Sequence, residues 1–115
     1  MEKAKNEYTS YKKEISRVQA SVLNNLAACS HKDENASLEI EYTTKVIELK
    51  DFLEADSYVL LKAYLRRALT YESKKRFKEA MEDLKCVQSM QPDNKQALKC
   101  LKRCEKGSPD PEAVD

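Results

Sequence analysis

Apolar residues fall three and four apart along nearly the whole chain, the spacing of helices that bury one stripe and wet the rest. Ala4, Tyr8, Tyr11, Ile15 and Val18 form the first stripe, over about residues 2–17. A second segment, roughly 20–32, reads SVLNNLAACSHK after its first alanine. It gathers small residues (Ala27, Ala28, Cys29, Ser30) where another helix can approach closely. Asp33-Glu34-Asn35 is a polar turn, and a third helix starts near Ala36 with Leu38, Ile40, Tyr42, Val46, Ile47 and Leu49. The apolar pattern continues through Leu53 without a clear stop, and Asp56-Ser57 supplies the next N-cap. A fourth helix follows from about Tyr58 to Lys74, and a fifth from Phe77 to Met90, ending before Pro92. A sixth opens at Pro92 or Asp93, with Ala97, Leu98, Leu101 and Cys104 inward and Lys95, Lys99, Lys102 and Lys106 outward. Gly107 stops it, and the final SPDPEAVD reads as a disordered tail. Six helices joined by short turns predict antiparallel neighbours.

Composition sharpens this picture. One glycine and three prolines in 115 residues leave too few turn residues for a hairpin-rich sheet. A net charge of +1 gives no global attraction to nucleic acid or to an acidic membrane, so neither is an expected partner. No apolar run approaches the length that spans a bilayer, and the N-terminus lacks the apolar core of a secretory signal, so the expectation is a soluble, cytoplasmic chain. The four cysteines, Cys29, Cys86, Cys100 and Cys104, sit inside helical patterns and are expected to be reduced and mostly buried. Cys100 and Cys104 share a helix face, but two thiolates make an incomplete zinc site, so no metal is expected. His31 is the lone histidine, and there is no glycine-rich phosphate loop and no hydroxyl nucleophile beside a base. No catalytic residue and no cofactor follow from such a sequence; it reads as a binding module rather than an enzyme.

The stretch Lys62 to Asn94, KAYLRRALTYESKKRFKEAMEDLKCVQSMQPDN, resembles the tetratricopeptide repeat, a helix-turn-helix unit of about 34 residues. Tyr64, Ala68, Tyr71, Phe77, Ala80, Leu84, Val87 and Pro92 fall on its large-small alternation, with small residues where the paired helices approach. A second match runs through Leu23, Asn25, Leu26 and Ala27, although Glu39 stands where the unit usually has a small residue and Thr43 where an aromatic is common. Asn25 and Arg66, equivalent in this register, lie 41 residues apart. Seven extra residues therefore fall near LEADSYV and are expected to lengthen the helices on either side. The resemblance implies an all-α, right-handed superhelical array of antiparallel helix pairs with about six helices. Residues 1–19 would be the second helix of an incomplete first repeat and 20–56 a second repeat with a lengthened helix. Residues 57–92 would be the third repeat, 93–106 a capping helix, and 107–115 the tail.

One subset of this family carries a carboxylate clamp that grips the free C-terminus of heat-shock chaperones ending in Glu-Glu-Val-Asp. The family's clamp is Lys-x-x-x-Asn in the first repeat, Asn in the second and Lys-x-x-x-Arg in the third. This sequence matches the last two parts with Asn25, Lys62 and Arg66, and Leu69 and Ser73 become candidate groove-lining residues. The first lysine and asparagine belong to a helix the pattern lacks, and Lys5 and Asn6 do not replace them. The chemistry suits the assignment: Arg66 can fork onto a carboxylate, Lys62 supplies a point charge and Asn25 donates without adding charge. The competing reading of Lys62 and Arg66 is an ordinary wet basic face, and the competing function is a scaffold that reads no free carboxylate. Arg67 is expected to lay its stem over the neighbouring helix, and Lys74-Lys75-Arg76 to form a solvated turn. The chain also ends in Val-Asp, so the tail is a candidate occupant of its own or a neighbour's groove.

Overall fold

A computed structural model describes residues 2–55 and 57–107. Asp56, the expected N-cap, and the tail 108–115 lie outside the described residues. These form five α-helices and one 3-10 turn, with no strand among them. In chain order they are α1 (Glu2–Lys32), α2 (Ala36–Glu48), the turn Lys50–Phe52, α3 (Tyr58–Ser73), α4 (Phe77–Met90) and α5 (Lys95–Gly107). The chain divides into two compact units, Met1–Ala63 and Tyr64–Asp115.

In the first unit, the first two expected helices are one, which brings the helix count down to five. The segment Arg17-Val18-Gln19-Ala20-Ser21 contains no glycine or proline, so nothing breaks the backbone hydrogen bonds where the apolar stripe changes character. α1 buries Ser16, Ala20, Asn24, Ala27 and Ser30, a narrow stripe of small residues that lets α2 approach closely. α2 answers with Glu39, Thr43 and Val46. Thr43 satisfies its buried hydroxyl by donating to the Glu39 carbonyl at 2.8 Å, and the Glu39 carboxylate meets His31 Nδ1 at 3.2 Å. Asn35 caps α2 by accepting from the Leu38 amide.

The extra residues do not lengthen α2. α2 ends at Glu48, and the chain continues as the 3-10 turn, which contacts both α1 and α2. Leu53 is buried at its end, and the Lys12 ammonium lies 5.3 Å from the Phe52 ring. The apolar pattern that predicts continuing helix over 49–53 thus belongs to a turn folded back onto the unit's core.

In the second unit, α3 contributes Tyr64, Ala68 and Thr70, α4 contributes Ala80, Asp83, Leu84 and Val87, and α5 contributes Ala97, Cys100 and Cys104 to the interior. Cys100 takes the inward place expected for Leu98, which is an exposed residue. Gly107 ends α5 against Phe77: a Cβ there would stand 2.6 Å from Phe77 Cζ, too close for any side chain without displacing the ring.

The two hairpins repeat each other in detail. Ala27 and Ala68, Glu39 and Ala80, Thr43 and Leu84, and Val46 and Val87 are pairs 41 residues apart, and all eight are buried. Their turns match as well. The Asn35 amide donates to the Ser30 carbonyl and Glu34 to His31; Arg76 donates to Tyr71 and Lys75 to Glu72. Both sets are the six-to-one and five-to-two bonds of a Schellman helix end. The residue at the bend has a left-handed backbone each time, Glu34 at φ 57° and Lys75 at φ 61°. This is an all-α helical-repeat fold.

Candidate functional site

α3 carries four of the five candidate residues. It forms because a sixteen-residue run free of glycine and proline places Leu60, Leu61, Ala63, Tyr64 and Ala68 on one buried side. Lys62, in the first unit, points away from that side and is exposed, with its ammonium 5.4 Å from the Tyr58 ring one turn earlier. Arg66, in the second unit, is half-buried on α3 and already engaged by other groups. Leu69 is half-buried, and Ser73 is exposed with its hydroxyl donating to the Thr70 carbonyl at 2.7 Å. Asn25 is exposed on α1.

Beside Asn25, a residue the sequence reading passed over does the structural work. Asn24 is buried and its Nδ2 donates to the Val59 carbonyl at 3.0 Å, joining α1 to the first turn of α3 within the first unit. That bond brings the stretch bearing Asn25 beside the start of the helix that bears Lys62. Two consecutive asparagines on a helix face about 100° apart, and their identity alone does not say which turns inward. Asn24 Oδ1 and Ser16 Oγ are buried without hydrogen bonds.

Arg67 does more than pack its stem. Its Nε and Nη2 donate to the two oxygens of Asp83 on α4 at 2.7 and 2.6 Å, a forked pair inside the second unit. The bond raises the Arg67 pKa, and burial raises that of the Asp83 carboxyl. Of the basic turn, Lys74 and Lys75 are solvated as expected. Arg76 instead pairs with Glu79 and lies 4.7 Å from the Tyr71 ring.

The cysteines divide. Cys100 and Cys104 are buried, Cys86 is half-buried, and Cys29 is exposed on α1, where a mostly buried set is expected. Folding brings Glu72 of α3 to the α5 pair, and the three ligand atoms lie within 4.8 Å of one another. This trio has the donor chemistry for a thiophilic cation, yet both of its halves are committed otherwise. Arg103 forks onto Glu72 at 2.6 and 2.9 Å and holds its carboxyl below the ordinary range. Burial pushes the Cys100 thiol up to about 12, and that of Cys104 upward too, which keeps both protonated at neutral pH.

The helical hairpins and their matched turns define the class as a helical-repeat chain, consistent with the tetratricopeptide unit. No family model matches the chain, and no solved structure matches it. Over 87 residues it is 36% identical to Sperm-associated antigen 1 of Rattus norvegicus; the match takes in 76% of this chain and 9% of that protein. Among the described residues no helix is long and apolar enough to cross a membrane.

Proposed function

We propose that this chain is a protein-interaction module, not a catalyst, that takes the acidic C-terminal peptide of a cytoplasmic partner, a heat-shock chaperone ending in Glu-Glu-Val-Asp. One observation supports this most: Lys62 and Arg66 stand four residues apart on the first helix of a hairpin in which Tyr64, Ala68, Ala80, Leu84 and Val87 of the repeat register are buried. On a helix that spacing puts two cations about one turn apart, a span that suits the paired carboxylates of a terminal aspartate. Asn25 adds uncharged donors from α1, and Leu69 and Ser73 are further along α3, where preceding side chains of the peptide would run.

Titrating a peptide ending in Glu-Glu-Val-Asp, with the same peptide amidated at its C-terminus as control, tests this reading. Amidation removes the main-chain carboxylate and is expected to abolish measurable binding. Arg66→Ala and Lys62→Ala should each weaken binding by roughly ten- to a hundredfold, the worth of one charge-assisted hydrogen bond of about 1.5–3 kcal/mol. Affinity indifferent to amidation and to both substitutions would leave a scaffold that reads no free carboxylate.

A further inference from the structure

α1 carries a second apolar stripe that the packing of the first unit does not use. Tyr8, Tyr11, Ile15, Val18 and Val22 are between 51 and 68% exposed, whereas Ser16, Ala20 and Asn24 on the neighbouring face are buried against the unit. Exposed side chains alternate three and four apart, and Ala4, also exposed, extends the series backward. This is a heptad seam, with Tyr8, Ile15 and Val22 at the first core position and Ala4, Tyr11 and Val18 at the second. Scattered surface apolar residues need no explanation, but a continuous seam on one helix marks a contact face.

The flanking charges say what fits. Glu7 and Glu14 border one edge of the seam, and Lys5 and Lys12 border the other. When two such helices lie parallel, the acidic edge of each runs along the basic edge of the other, and Glu7 meets Lys12 of the second copy twice by symmetry. Antiparallel helices would set glutamate against glutamate and lysine against lysine. α1 is already a helix anchored on α2, so pairing carries no nucleation cost.

We propose that two copies of this chain associate in parallel through residues 4–22 of α1, as a short two-stranded coiled coil. Sedimentation equilibrium of the full chain should give twice the 13.2 kDa monomer mass. Ile15→Glu and Val18→Glu lie on the exposed face, so helicity by circular dichroism should hold while the dimer dissociates at least about tenfold more readily. Glu7→Lys, at the rim, tests the charge pairing without touching the seam. It should weaken the dimer, and mixing it with Lys12→Glu copies should restore association, because every edge contact is then again between opposite charges. Orientation is read from Val18→Cys in a Cys29→Ser background, which a parallel pair crosslinks on oxidation. A single-chain mass at the highest concentration reached would overturn the proposal. So would a dimer unmoved by Ile15→Glu and Val18→Glu, or failure of the Val18→Cys copies to crosslink.

Discussion

At the scale of single residues, the clearest consequences concern side chains that changed role on folding. Cys100 is fully buried with its thiol pushed up to about 12, while an unfolded thiol ionises from about pH 8.5. A group whose pKa is higher in the folded state lends its full stability below the unfolded value. That contribution fades as pH climbs towards the folded one. The chain should therefore lose stability progressively above about pH 8.5, and Cys100→Ala should flatten that alkaline limb in thermal melts. In the native protein, alkylation should label Cys29 first and leave Cys100 and Cys104 untouched until unfolding. Arg67 and Asp83 make the second case. Arg67→Ala strands a buried carboxylate and should cost about 3 kcal/mol or more in urea unfolding, whereas the double change Arg67→Met, Asp83→Leu should recover much of the loss. The pairing of Arg67 with Asp83 was not legible beforehand. Sequence periodicity showed that Arg67 leaves the wet face, but it carries no information on which carboxylate of the facing helix it meets.

At the scale of elements, the matched turns are the most informative feature. Glu34 and Lys75 hold left-handed backbone where helices commonly place glycine, and a side chain there costs about 1–2 kcal/mol. Glu34→Gly and Lys75→Gly are each expected to stabilise the chain, by up to about 1 kcal/mol once glycine's entropy in the unfolded chain is set against the relief. A fall in the unfolding midpoint on either substitution would contradict the strain. Most helix starts and stops could be read directly: the polar turn ending at Asn35 before α2, the break before Phe77 and the stop before Pro92. Two elements could not. The join inside α1 is hidden because a change of stripe resembles a helix boundary in sequence while leaving the backbone free to continue. The turn at Lys50–Phe52 was read as helix because Phe52 and Leu53 keep the apolar spacing, and that spacing cannot distinguish helix from a turn folded onto the core.

For the whole molecule, a net charge of +1 means that any attraction to an acidic peptide must come from a few cations rather than from the overall field. Peptide affinity should therefore fall as salt rises and the screening length drops below about 10 Å, measured by repeating the titration across ionic strengths. The repeat was visible in sequence because large and small residues must alternate wherever two helices approach, and the alternation survives at Ala27 and Ala68 and at Val46 and Val87. At Glu39 and Thr43 it broke down. There the structure keeps polar groups buried by supplying His31 to one and a backbone carbonyl to the other, a solution that composition cannot announce.

The two Schellman turns also bear on how the chain reaches its fold. Each closes a helix pair between residues near in sequence, so neither hairpin waits for distant parts of the chain to meet. Such local topology belongs to fast folders, and loop-closure entropy grows only slowly with length, by about 0.6 kcal/mol for each doubling. The stretch between α2 and α3 then becomes the place where a growing gene can accept extra residues at little kinetic cost, and most of those beyond the regular repeat lie there.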